Sequence, residues 1–227
     1  MTATLSSMRS TLRPGVAGRE GPYTGPVTAA PVRLPALTGC VVLVPVKAFG
    51  AAKARLAPSL DAAGRDALSR VMAARVLAAA RPLPVAVVCD DPEVAQWAAA
   101  HGALVLPEPG RGLNGAVEAG VERLGGAGAS EVLVVHSDLP FAHEVAQLAG
   151  FGGVTLVPDR RDDGTNVACV PTAARFRFHY GPGSFARHRD EARRLGLSCR
   201  VVRDPELTWD VDVPADIPTG LGPLSSG

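Results

Sequence analysis

The sequence predicts an α/β fold, a mainly parallel sheet with helices on both faces in a three-layer sandwich. Three observations carry this. Short, almost wholly apolar runs recur along the chain, and strands apolar on both sides belong to a sheet covered on both faces. Helical stretches separate several of these runs, the alternation that builds parallel sheets. The chain has 227 residues, enough for one well-buried domain and cramped for two.

In chain order, residues 1–38 are rich in Pro, Gly, Ala, Ser and Thr without helical or strand periodicity, and are expected to form a flexible extension. A single domain is expected over 39–219, with a flexible tail over 220–227. Strands are expected at CVVLVPV (40–46), PVAVVCD (84–90), ALVLP (103–107), EVLVVH (131–136), GVTLVPD (153–159), NVACVP (166–171) and SCRVVRD (198–204). Helices are expected at Asp61–Ala80, Pro92–His101, Leu113–Leu124, Phe141–Ala149 and Ser184–Leu195. No internal repeat is evident. Open α/β sheets bind ligands at the carboxyl ends of their strands, so a site is expected in the loops after 46, 90, 107, 136, 159 and 171.

Composition narrows the class of partner. The net charge is +1, so no global field favours nucleic acid or a membrane surface. Apolar runs reach about six residues, far short of the roughly 20 that span a bilayer, and no signal-like apolar stretch opens the chain. A soluble, cytoplasmic protein is expected. Cys40, Cys89, Cys169 and Cys199 are far apart in sequence; without a CxxC pair or an HxxxH or HExxH spacing, buried reduced thiols are expected and zinc is not.

The first strand leads into PVKAFGAAKARL, which holds Lys47 and Lys53, the only two lysines among 23 basic residues. The loop is neither a P-loop nor a GxGxxG turn. A compact, flexible ammonium differs from a planar guanidinium fork. Lys53 and Arg55, with Lys47, can neutralise a polyphosphate as a leaving group departs; a solvated basic loop would read the same way.

After the fourth strand comes SDLP, whose Asp138 is suited to hold a metal at the rim of the sheet. In LTWDVDVPAD, an extended chain would project Asp210 and Asp212 from one face. With Asp138 they would make a hard-oxygen site for Mg²⁺; the alternative is an acidic edge strand. Asp216 reads as a first-turn helix residue after Pro214. Two further loops look like anion handles. PDRRDDGTN offers Thr165 and Asn166 after a glycine, and YGPGSFARH brings Gly181 and Gly183 to Ser184 at a helix start. In RGLNGAVEAG, Asn114 could cap a helix or read a base or ribose.

Taken in order, VPVKxFxxAKxRL, RGLNGA, SDLP, PDRxxDGTN, FRFxxGPGSFxRH and DVDxPAD resemble the 2-phospho-L-lactate or phosphoenolpyruvate guanylyltransferases of coenzyme F-420 biosynthesis, over about residues 40–217. Ala48 stands where that family often has proline, and Gly115 where alanine is usual. The resemblance implies a GT-A-like, Rossmann-like nucleotidyltransferase domain. It also implies transfer of GMP from GTP to a phospho-acid, with Mg²⁺ and release of pyrophosphate. Carried onto matching positions, it implies acceptor binding at Thr165, Gly181 and Ser184 and nucleotide binding at Pro45, Asn114, Gly115 and Asn166. The metal would sit at Asp138, Asp210 and Asp212, and catalytic charge would come from Lys53, Arg55 and Lys47. Neither nucleic acid nor membrane is expected as a partner, and a homodimer is one arrangement left open. A sugar-phosphate or molybdopterin-type acceptor, or a non-catalytic nucleotide-binding protein, are the alternatives.

Overall fold

A computed structural model describes residues 34–218. The expected extension and tail therefore fall largely outside the described residues. One boundary moves. Leu37, placed in the extension from sequence, is buried and donates its N–H to Ala127 O at 2.8 Å. A Cβ on Gly128 would stand 2.4 Å from Leu37 O, so this contact requires glycine there.

The sheet contains β1 (Cys40–Pro45), β2 (Val85–Cys89), β3 (Leu104–Pro107), β4 (Glu131–Val135), β5 (Val154–Pro158), β6 (Thr165–Pro171) and β7 (Cys199–Val201), in the order β3-β2-β1-β4-β6-β5-β7. The pairs β1–β2, β2–β3, β1–β4 and β5–β7 are parallel. Strand β6 runs antiparallel to both β4 and β5, because the short link from β5 cannot make a crossover. This corrects the expectation for the loop after 171. The start of β6, at Thr165 and Asn166, lies at the ligand-binding end of the sheet, and its end at Pro171 lies at the other.

Among the described residues four α-helices cover the sheet: α1 (Ala62–Ala79), α2 (Pro92–Ala100), α3 (Gly112–Gly126) and α4 (Ser184–Arg194). Asp61 caps α1 by accepting from Gly64 N at 2.7 Å, and Asp91 caps α2 by accepting from Glu93 N and Val94 N. Alternate strand residues feed two cores. Val42, Val44, Leu133 and Cys169 pack with Val76 of α1 and Val94 of α2. Val41, Leu43, Val132 and Val134 pack with Val121 of α3 and Phe185 of α4. A Cβ on Gly120 would meet Leu43 Cδ2 at 2.8 Å, so a side chain there would have to displace Leu43 in the packing of α3 on β1.

Two other expectations change. Residues 141–149 are not an α-helix; they contain a single 3₁₀ turn, Val145–Leu148. Leu139, Ala142, Val145 and Leu148 are all buried, a spacing of three that suits a 3₁₀-like path rather than an α-helical face. The last strand is limited to Cys199–Val201, and Cys199 is exposed while the other three cysteines are buried. The strands also bring Cys40, Glu131 and Cys169 together, their ligand atoms all within 4.8 Å, a grouping that no sequence spacing announced. Glu131 already accepts from the Gly150 and Gly152 amides.

Candidate active site

The chain runs β1-β2-β3 towards one side of the sheet and then returns to place β4 on the other side of β1. Ligands are expected at such a switch point, and a cleft of about 490 Å³ opens there. Its walls come from the ends of β1, β2 and β4, at Pro45, Asp90 and His136–Asp138, and from the lysine loop. Lys47, Lys53 and Arg55 all line it. Lys47 and Arg55 are exposed, and among the described residues neither makes an ion pair.

Lys53 is different. Its Nζ lies 2.6 Å from Asp138 Oδ2 and 3.3 Å from Asp212 Oδ1. Burial alone would lower the pKa of this ammonium, but Asp138 and then Asp212 outweigh it and hold the group above its ordinary value. Asp138 responds in the opposite sense. Burial would raise its pKa, and Lys53 outweighs that and keeps the carboxylate charged. Lys53 also has φ 57, in the left-handed region, an uncommon conformation for a residue with a Cβ.

A third, small core holds these groups in place. Leu56, Leu68, Met72 and Val211 pack together, with Trp209 and Ile217 against them. Leu56 follows the lysine and Val211 separates the two aspartates, so burying both brings Lys53 to Asp212. Residues 207–213 form no strand. The alternation survives nonetheless: Val211 is buried, while Asp210 and Asp212 are half-buried. Val211 N donates to Asp138 O at 3.2 Å. Asp216, in the 3₁₀ turn Pro214–Asp216, accepts from the Asp212 and Val213 amides at 3.0 and 2.9 Å and from Arg160 at 2.6 Å. Arg160 also lies 3.9 Å over the Trp209 ring. Asp216 thus positions the backbone of the 212 carboxylate.

The three aspartates suit a hard divalent cation. Asp138 Oδ1 is buried without a hydrogen-bond partner among the described residues, an anomaly that a cation would resolve. The Asp210 pKa is pushed up to about 6, first by burial and then by the charges of Asp138 and Asp212. That is the repulsion a shared cation relieves. The three carboxylates do not all bring an oxygen within 4.8 Å of one another, and the Lys53 ammonium lies between Asp138 and Asp212.

The other expected residues are arranged differently from the sequence reading. Asn114 neither caps α3 nor faces the cleft with a free amide. Its Oδ1 accepts from Tyr180 N at 2.7 Å, and its Nδ2 donates to Tyr180 O at 3.4 Å. Gly115 lies next along α3, where a Cβ would stand 3.2 Å from Arg111 Cβ. Asn166 is buried and donates to Leu207 O at 3.0 Å, while its own carbonyl accepts from His136 N. Ser184 is the first residue of α4 and not its cap; the cap position is Gly183, at φ 72. The amides at this helix start are already engaged, Gly183 N with Asp163 Oδ1 and Phe185 N with Asp163 O. Thr165 and Ser184 are buried together, and Ser184 Oγ donates to Thr165 Oγ1 at 3.4 Å. Gly181 has φ 117, a conformation that favours glycine.

Sequence reasoning passed over several cleft residues. His136 lines the cleft, and one of its ring nitrogens is buried and unpartnered. Glu108 is buried at the cleft wall between Arg111, at 2.9 Å, and Arg123, at 3.0 Å. Asp90 lines it at the end of β2. The available signal was position alone, immediately after an apolar strand.

Comparison with known proteins identifies the family and the fold. The family model described as "Guanylyl transferase CofC like" matches residues 40–219. A phosphoenolpyruvate guanylyltransferase of Sphaerobacter thermophilus is 39% identical over 186 residues, covering 78% of this chain and 90% of that protein. One of the same name from Rubrobacter xylanophilus is 38% identical over 184 residues, with coverages of 77% and 90%. Among solved structures, a nucleotide-diphospho-sugar transferase from Desulfovibrio desulfuricans G20 superposes with a TM-score of 0.65 at 16% identity, covering 77% of this chain and 82% of that one. A 4-diphosphocytidyl-2C-methyl-D-erythritol synthase gives 0.53 at 13% identity, with coverages of 79% and 95%. These structural likenesses establish the fold.

Proposed function

The chain belongs to the CofC-like guanylyl transferase family and is an enzyme, and from that premise we propose that it transfers GMP from GTP to phosphoenolpyruvate with release of pyrophosphate. The names of the curated relatives favour phosphoenolpyruvate over 2-phospho-L-lactate. The assignment to coenzyme F-420 biosynthesis rests on the motif resemblance. The observation that carries the chemistry is the Lys53 ammonium between Asp138 and Asp212 on the cleft floor.

An oxygen of the acceptor phosphate attacks the α-phosphorus of GTP. That P–O bond forms as the bond from the α-phosphorus to the α–β bridging oxygen breaks, and pyrophosphate leaves with the electron pair. No covalent enzyme intermediate is required, so catalysis is positioning and charge stabilisation. Asp138, Asp210 and Asp212 would hold Mg²⁺, which supplies charge neutralisation at the reacting phosphates. Lys53, released from its carboxylates, meets the charge that develops on the leaving group, and Lys47 and Arg55 meet the rest of the triphosphate. Asp216 and Arg160 keep Asp212 in register. Thr165, Gly181 and Ser184 form the acceptor side, adjoining His136 through Tyr180, whose ring lies 4.7 Å from that of His136. Nucleotide contacts are assigned to Pro45, at the cleft wall, with Asn114, Gly115 and Asn166 shaping the walls behind it.

The deciding experiment mixes the protein with GTP, Mg²⁺ and either phosphoenolpyruvate or 2-phospho-L-lactate, and measures pyrophosphate and product mass. A guanylylated phosphoenolpyruvate is expected. Pyrophosphate release only with a sugar phosphate, or none with any acceptor, would overturn the reading.

A further inference from the structure

Two histidines touch Tyr180: His136, and His188 at 5.0 Å between ring centroids. They differ in how their ring nitrogens are used. His188 is fully buried, with Phe176 and Phe178 also against it. Its Nε2 accepts from the His179 backbone N–H at 2.9 Å. A backbone N–H can only donate, so Nε2 carries the lone pair. Burial, followed by the neighbouring His179, His136 and Arg187, lowers the pKa of His188 to about 3. The ring is therefore neutral, and its one proton sits on Nδ1, 3.0 Å from Thr165 Oγ1.

Thr165 Oγ1 thus accepts from His188 Nδ1–H and lies 3.4 Å from Ser184 Oγ. The Ser184 contact is long for a hydroxyl pair, and either hydroxyl can donate in it; apart from Ser184 Oγ, the Thr165 proton has no acceptor among the described residues. A buried hydroxyl ordinarily satisfies its donor within the protein. That proton, beside the turn of Gly181 and Gly183, is free to turn from the long Ser184 contact to an anionic oxygen.

We propose that His188 is a positioning residue for acceptor binding: its Nδ1–H fixes the Thr165 hydroxyl as a donor, whose proton is kept for an anionic oxygen of the phospho-acid. The same imidazole joins three segments, at His179, Thr165 and the start of α4, so it also sets the Gly181–Ser184 turn. The proposal rests on the reading above, that Thr165 and Ser184 form the acceptor side.

Two measurements test it separately from that reading. In the ligand-free protein, ¹⁵N shifts of the His188 ring should be pyrrole-like at Nδ1 and pyridine-like at Nε2. The reverse would overturn the proposal whatever the enzyme's substrate. In steady-state assays, His188→Phe keeps the aromatic packing and removes both nitrogens. The KM for phosphoenolpyruvate should rise roughly tenfold or more, the scale of one hydrogen bond to a charged group, with the KM for GTP close to the parent's. Thr165→Val should raise the same constant, and the double variant should be little worse than either single one, because the two act as a unit. His188→Gln, which returns an N–H donor, should recover part of the loss. Additive effects, equal rises in both KM values or no change would each overturn the role. If His188→Phe does not fold, His188→Gln and Thr165→Val with the ring shifts still decide. Failure of the parent to use any phospho-acid would defeat the functional reading, while the ring shifts would still report the tautomer.

Discussion

Lys53 Nζ lies 2.6 Å from Asp138 Oδ2, and the two side chains are only 11% and 19% exposed. The lysine proposed to act in catalysis is therefore also the internal counter-ion of the carboxylates. This couples activity to stability, and Lys53→Ala should affect both. Turnover should fall by about 10²-fold or more, the usual scale for a charge-stabilising donor. The ligand-free protein should lose about 2 kcal/mol, less than the roughly 3–5 kcal/mol of breaking a fully buried pair. Denaturant melts beside a pyrophosphate assay check both effects, and unchanged stability would mean that Asp138 is not balanced by Lys53.

Asp210 predicts a pH dependence. Its pKa in the folded protein is raised from 3.8 to about 6. The folded state therefore holds that proton more tightly than the unfolded chain. The contribution is fully present below about pH 4 and is lost as pH rises through about 6. Asp210→Asn should remove that fall, so the variant without metal should gain stability relative to the parent as pH rises from 4 to 7. Added Mg²⁺ should raise the parent's Tm more than the variant's, by mass action on the folded state. Parallel Tm–pH curves for the two proteins would eliminate Asp210 as a repelled, cation-seeking group.

Glu191 has the opposite sign. It accepts from Arg194 at 2.7 Å and from Arg177 N at 3.1 Å. These contacts, led by Arg194, lower its pKa from 4.5 to about 2. Its stabilisation is present above about pH 4.5 and is lost as pH falls through about 2. Glu191→Gln should be less stable than the parent at pH 7, with the difference shrinking in acid. A constant difference down to pH 2 would contradict this.

Leu56→Ala tests the small third core. A fully buried leucine truncated to alanine typically costs about 2–5 kcal/mol. Because Leu56 and Val211 pack together beside Lys53 and Asp212, the groups proposed to act in catalysis, turnover should fall through their misplacement. Loss of stability with full turnover would show that Lys53 and Asp212 do not depend on this packing for their placement.

Much of the architecture was legible because local chemistry repeats. Apolar runs such as VVLV at 41–44 have no polar face, so they had to be covered on both sides. The reversal of β6 was not read from the sequence, although the short link between the strands at 153–159 and 166–171 leaves no room for a crossover helix. The segment 141–149 was harder. Its apolar residues suit a helix until the spacing of three is noticed, and tertiary burial then selects the 3₁₀ path.

By itself the sequence determined the α/β class, the order of the seven strands, four of the five expected helices and the family to which the motifs point. Tertiary structure alone decided which groups meet. It put Lys53 between Asp138 and Asp212, committed Asn114 to the Tyr180 backbone, engaged the start of α4 with Asp163 and bound His188 to Thr165. Strand and helix formation follow from residues close in sequence, whose periodicity is written along the chain. Charge pairing and hydrogen-bond commitment depend on distances of a few ångströms between distant segments. Those distances are fixed only when cores such as that of Leu56 and Val211 close.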